Sequence, residues 1–232
     1  MNRISIEELT ISLESKKIVE ISFEIDGSLA LVGESGSGKS LTLKALLGLN
    51  DSSFSVALKR TTPFEWILGK TVGFVPQNPF TALSPLTKIK QQMFASQERC
   101  QTLFEMLDLP LSLLNRYPNE LSGGQLQRVI VAMALVSEPK VLLLDEPTTA
   151  LDSESKERMI EWLMKMQKSF GFSMLLVTHD MNVASKMCSN ICIIRHGKVI
   201  EAGKMIEVLA NPQEDYTKML IDAEFTKRGF RS

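Results

Sequence analysis

SLALVGESGSGKSLTLKALLGL, residues 28 to 49, decides the fold. Ser28 to Val32 is an apolar run of strand length. It leads into Gly33-Glu34-Ser35-Gly36-Ser37-Gly38-Lys39-Ser40, which fits the pattern G-x-x-x-x-G-K-S/T in full. A helix follows from Lys39 and closes near Gly48 and Asn50. Strand, glycine loop and helix in that order are the context the motif requires. The glycines let the loop curl until its backbone N–H groups converge on phosphate oxygens. Lys39 would reach the β- and γ-phosphates, and the Ser40 hydroxyl would ligate Mg²⁺.

Outward from this loop, strands and helices alternate. IEELTISL and KIVEISFEI read as strands before it, and KTVGFVP, residues 70 to 76, as a strand ending at a proline. From about Thr87 to Val136 the pattern is helical; KIKQQMFASQ and CQTLFEMLDL carry apolar residues at three- and four-residue spacing. Strands return at VLLLD (141 to 145) and SMLLVT (173 to 178), separated by the amphipathic helix ESKERMIEWLMKMQKSF. A hairpin over 191 to 203 and a final helical stretch follow. The expected fold is α/β: a mainly parallel sheet buried on both faces, N-terminal antiparallel strands, and an inserted helical block between 79 and 137.

The 232 residues carry 26 basic and 27 acidic side chains, so bulk attraction to nucleic acid or an anionic membrane is not expected. The basic tail Lys227-Arg228-Gly229-Phe230-Arg231 reads as a solvated end. Three cysteines without CxxC spacing argue against a disulfide framework or a zinc site and favour a reducing compartment. MNRISIEELT lacks the pattern of a signal peptide. No apolar run reaches bilayer length; VIVAMALV, 129 to 136, fits a buried helix.

Two further stretches carry chemistry. In LSGGQLQR, Leu121 to Arg128, Ser122 and Gln125 have the spacing of a capping box, and a helix N-terminus attracts anions. VLLLDE ends in the adjacent carboxylates Asp145 and Glu146. Alternation along a strand would point them differently, one towards a metal and one towards an attacking water.

LSGGQ, then VLLLDEPTTALD, then VTHD, in this order and with the glycine loop upstream, resembles the ATP-binding cassette of ABC transporters over nearly the whole chain. The resemblance implies one ATP-binding domain over 1–232, with a catalytic core of 1–78 and 138–232 and a helical subdomain of 79–137. It implies an ATPase using ATP and Mg²⁺, with Asp145, Ser40 and Gln77 at the metal and Glu146 polarising the hydrolytic water. Gln77, in FVPQNP, matches the family's Q-loop, Ala150-Leu151-Asp152 the D-loop, and His179 the histidine that contacts the γ-phosphate. It also implies that Ser122, Gly123, Gly124 and Gln125 serve nucleotide on a second cassette. The physical sense is that a P-loop covers one side of the phosphates, while a second helix N-terminus supplies the missing donors and excludes water. The implied partners are a second ATPase subunit (a copy of this chain or a sister protein), integral-membrane permease subunits and a separate substrate-binding protein. The implied place is the cytoplasmic face of the cell membrane, as a peripheral protein.

NPFTALSPL, 78 to 86, resembles a segment of the importers of oligopeptides, dipeptides and nickel. NPQEDYTKMLIDA resembles that branch's Pro-Tyr-Thr ending, with Asp215 in place of proline. Peptide-importing members usually run longer, so the end at Ser232 leans towards nickel, with a peptide-like or metal-chelate cargo as the broader class. The rivals are a non-transport cassette ATPase, of DNA repair or translation, and a simple P-loop kinase or GTPase. The first would insert long coiled coils between Gly48 and Leu121, or carry two cassettes; the second leaves LSGGQ and His179 unexplained. One departure stands out. The family usually stacks an aromatic residue on adenine where this chain has Leu13, and 1 to 22 contain no Phe, Tyr or Trp.

Overall fold

The computed structural model describes residues 3–149 and 151–229, the last six of these by backbone alone. Ala150, Phe230 and Arg231 therefore lie outside the described residues, as do the side chains of Lys227 and Arg228. The chain forms two compact units, one of residues 1–63 with 173–232 and one of residues 64–172.

In the first unit β1 (Ile4–Leu13) pairs antiparallel with β2 (Lys16–Ile25). On β1 the buried side chains are Ile4, Ile6, Leu9 and Ile11. Alternation by two breaks between Ile6 and Leu9, and there the register with β2 shifts, so a bulge returns the apolar residues to one face. β3 (Ser28–Val32) is buried at every position and feeds the glycine loop. α1 (Lys39–Leu47) follows and ends at Gly48 in the left-handed conformation. β4 (Phe54–Thr61), which the apolar pattern did not mark, lies antiparallel along β1 and pairs Leu13 with Phe54.

The second unit begins with β5 (Val72–Val75), followed by a single 3₁₀ turn at Pro79–Thr81. The segment 88–97, read as part of a helical stretch, is helical only over α2 (Ile89–Gln92), and α3 (Gln97–Met106) starts afresh at its end. Phe94 takes a positive φ of 48° between them, and the Ser96 side chain accepts the Arg99 amide at 3.2 Å to start α3. α4 (Gly123–Leu135), β6 (Val141–Asp145) and α5 (Ser153–Phe170) complete this unit. Between β5 and β6 every regular element is helical, and β6 is parallel to β5. Asp152 caps α5 by accepting the amides of Glu154 and Ser155 at 3.1 and 3.0 Å.

The chain then returns to the first unit as β7 (Ser173–Thr178), α6 (Met181–Met187), β8 (Asn190–Arg195), β9 (Lys198–Lys204), α7 (Met205–Ala210) and α8 (Asp215–Gly229). β3 lies parallel between β7 and β8, and β9 closes that edge antiparallel. β7 is buried throughout and β8 from Ile191 to Ile194, as a sheet covered on both faces requires. Burying each such Leu or Ile contributes about 1.5–3 kcal/mol. The core therefore holds rigid the strand ends from which the loops of interest leave.

Candidate nucleotide-binding site

The glycine loop is shaped by close contacts that its residue types permit. A Cβ on Gly33 would lie 2.2 Å from the Ile194 carbonyl oxygen, so no larger residue fits between β3 and β8. Gly38 caps α1 with φ of 107°, a conformation that L side chains rarely adopt. Ser37 is buried and its carbonyl accepts the Gly197 amide at 3.0 Å, which ties the loop to the β8–β9 turn. Lys39, only 6% exposed, folds back across the loop: its Nζ donates to the Gly33 carbonyl at 2.6 Å and the Glu34 carbonyl at 2.9 Å. Glu34, Ser35, Gly36 and Ser40 face outward. The first N–H groups of α1 have no partner within the helix. The loop thus combines a buried cation, a helix N-terminus and an exposed hydroxyl, which is an anion cradle.

Register places the other residues of this unit. Val32 pairs with Thr178 across parallel strands, so Gly33 and His179 leave the carboxyl ends of β3 and β7 side by side. That edge is where open α/β sheets bind ligands. His179 is exposed, between Thr178, whose hydroxyl accepts the Asp180 amide at 3.0 Å, and Asp180, which caps α6.

The second unit gathers Gln77, Asp145 and Glu146 in the same way. Val75 pairs with Leu144, so the two strands β5 and β6 release these three residues at one edge. Gln77 is exposed, and both carboxylates are half-buried. Side-chain alternation does not extend to Glu146, because β6 ends at Asp145 and Glu146 turns into the left-handed region with φ of 47°. Such a conformation costs a non-glycine residue about 1–3 kcal/mol and clusters at functional sites. The Glu146 carboxylate accepts the Thr149 hydroxyl at 2.6 Å.

At the start of α4 the capping box is complete. Ser122 Oγ accepts the Gln125 amide at 3.3 Å, and Gln125 Oε1 accepts the Ser122 amide at 3.0 Å. Arg128 secures this turn, donating to the carbonyls of Gly124, Leu107 and Asp108 while its guanidinium lies 4.9 Å from the Trp162 ring centre. A Cβ on Gly123 or Gly124 would meet nothing within 4 Å. Two glycines in a first helical turn cost stability relative to alanine, and no packing among the described residues demands them.

Leu13, 39% exposed at the end of β1, sits opposite the half-buried Phe54. The sequence reading missed that aromatic because it missed β4. It also passed over Tyr216, whose hydroxyl accepts the Glu34 amide at 3.1 Å. The only signal for Tyr216 was its place in the Pro-Tyr-Thr-like ending. The three cysteines are buried, and burial pushes the Cys192 thiol up to about 12.

Residues 17–149 match the family described as ABC transporter. The chain is 34% identical over 255 residues to the peptidoglycan transport ATP-binding protein YejF of Agrobacterium fabrum, covering 95% of this chain but 47% of that protein. To the metal-staphylopine import system ATP-binding protein CntD of Staphylococcus aureus it is 31% identical, covering 97% of this chain and 94% of that protein. A dimeric ATP-binding cassette solved in a post-hydrolysis state with ADP and Pi superposes with a TM-score of 0.68 at 28% identity, over 88% of this chain and 99% of that one. The chain belongs to the ABC transporter family of ATP-binding proteins. It is an ATPase with the α/β fold of that family's cassettes.

Proposed function

We propose that the chain is the ATP-hydrolysing subunit of an importer that takes up a peptide-like or metal-chelate cargo through separate membrane-embedded permease subunits. The observation that carries this reading is the likeness, along nearly the whole length of both chains, to the ATP-binding protein of a metal-staphylopine import system. Relatives at 31% identity that are named as oligopeptide and dipeptide transport ATP-binding proteins support the same cargo class. Within it nickel is the finer reading; the segments 78–86 and 211–223 support the peptide and nickel branch as a whole. The non-transport alternative loses ground to the helical stretch before β6, where α4, at 13 residues, is the longest described helix. No described helix is long and apolar enough to cross a membrane. A peripheral position at the cytoplasmic face would therefore depend on the permease, with a substrate-binding protein delivering cargo from the other side.

In this reading Gly33 to Ser40 holds the ATP phosphates and Lys39 turns from its carbonyls to the β- and γ-phosphates. Ser40, Asp145 and Gln77 offer only oxygen donors, the set a hard Mg²⁺ ion takes. When bound with ATP, magnesium neutralises charge on the phosphate oxygens. Glu146 orients the attacking water and draws its proton, and His179 contacts the γ-phosphate. Water oxygen bonds to the γ-phosphorus as the bond to the ADP oxygen breaks. Ser122, Gly123, Gly124 and Gln125 address nucleotide held by the second ATPase subunit, whether a copy or a sister protein. The open space over Gly123 and Gly124 supports this, since close approach by a ligand from outside needs it. Affinity purification from membranes tests the transport reading: an integral-membrane permease should co-purify, and a reproducible lack of any membrane protein would contradict it.

The adenine contact gives a further expected result. Stacking a base on an aromatic ring is worth roughly 1–3 kcal/mol, and Leu13 offers no ring. Wild-type protein should bind ATP modestly and discriminate poorly against GTP, and Leu13→Tyr should tighten ATP binding at least about fivefold. A strong preference for ATP that this substitution leaves unchanged would assign the base contact elsewhere, with Phe54 the neighbour to replace next.

A further inference from the structure

We infer that Tyr216 is a positioning residue for nucleotide binding, acting through the peptide that joins Gly33 to Glu34. The inference rests on the reading of Gly33 to Ser40 as the phosphate cradle. That one peptide is gripped at both poles. Its carbonyl, on Gly33, accepts from Lys39 Nζ at 2.6 Å, and its N–H, on Glu34, donates to the Tyr216 hydroxyl at 3.1 Å. The second contact joins residues 182 apart in sequence, and it brings α8 onto the entry of the loop.

Tyr216 is itself well fixed. It is 5% exposed, in the first turn of α8. The Arg195 guanidinium, at the end of β8, lies over its ring 4.5 Å from the centre. The Glu201 carboxylate of β9 accepts the amides of Gln213 and Glu214 at 3.0 and 3.2 Å, anchoring the chain just before α8. The hydroxyl is thus presented by a rigid support built from three elements of the same unit.

The two grips are not equivalent. The three Nζ donors of Lys39 serve the Gly33 and Glu34 carbonyls and the Ser37 hydroxyl, so turning two of them to phosphates leaves at most one for the carbonyls and weakens that pole. The Tyr216 hydroxyl is the tie on this peptide that the exchange leaves in place, and it keeps the plane from rotating as the Lys39 grip weakens. Tyr216 therefore stabilises the nucleotide-bound loop more than the free one. Only such a differential contact can change affinity.

Tyr216→Phe removes one oxygen and keeps the ring and its cation. Isothermal titration of ATP and of ADP should show both dissociation constants raised roughly three- to tenfold, the range of one net hydrogen bond. The KM for ATP should rise in step while kcat at saturation holds, and the melting temperature without nucleotide should fall by no more than about 4 °C, the cost of one hydrogen bond already present in the free protein. Arg195→Gln, an exposed substitution that loosens the ring's seat, should shift both constants in the same direction by a smaller factor. Wild-type affinities in both variants would overturn the inference, as would a loss of affinity accompanied by a fall in the nucleotide-free melting temperature well beyond about 4 °C, the mark of a damaged fold. Lys39→Ala in the same series separates two failures. If it binds like wild type, the cradle reading falls and this inference with it; if it does not bind while Tyr216→Phe binds normally, only this inference falls.

Discussion

Glu146→Gln is expected to keep ATP binding near the wild-type level and to slow turnover about 10²- to 10⁴-fold, the usual loss when a positioned base is removed. Glutamine preserves the shape of the side chain, and its carbonyl oxygen can still accept the Thr149 hydroxyl that Glu146 accepts at 2.6 Å. The charge and the basicity are what it lacks. The strained φ of 47° at this residue belongs to the backbone and survives the substitution, so the fold should be undisturbed. If ATP joins two cassettes and hydrolysis parts them, the variant should accumulate as an ATP-bound dimer on size-exclusion chromatography. Near-normal hydrolysis would remove Glu146 from the role proposed for it.

Ser122→Arg is expected to lower ATPase activity about 10²- to 10³-fold, the scale on which losing a preorganised donor to a phosphoryl or acyl centre is felt. The substitution deletes the oxygen that caps α4 and places a bulky cation over the open first turn at Gly123 and Gly124. Losing the cap alone costs about 1 kcal/mol. Arg128 continues to hold the turn through its three backbone acceptors, so the protein should remain folded with only a modest drop in melting temperature. What the arginine blocks is the approach of a second nucleotide-loaded cassette. Activity retained above about a tenth of wild type would place the α4 terminus outside the reaction.

Much of this geometry can be read from local residue patterns. The Ser122 and Gln125 spacing anticipates both bonds of the capping box, and SLALV anticipates a strand buried at every position. Where the structure departs from the reading, local pattern carried no information. β4, FSVALKRT, is held to β1 by its backbone and mostly exposed, so apolar alternation does not mark it. With it Phe54, the partner of Leu13, was invisible. α6, seven residues long, is too short to display a helical period. The break between α2 and α3 turns on a left-handed Phe94, and the turn after β6 on a left-handed Glu146, conformations that side-chain type does not announce. The bond between Glu34 and Tyr216 spans nearly the whole chain and arises only once α8 has packed.

The measurement that tests the account most directly is a side-by-side ATP titration of dilute, monomeric wild type, Lys39→Ala and Ser122→Arg. If the glycine loop holds nucleotide within one chain and the α4 terminus addresses nucleotide on another, Ser122→Arg binds within about twofold of wild type, since it lacks none of the monomer's phosphate contacts. Lys39→Ala, stripped of a charge-assisted contact to the phosphates, shows no measurable binding. Equal and severe losses in the two variants would contradict the account, because Ser122 would then serve the same nucleotide as Lys39.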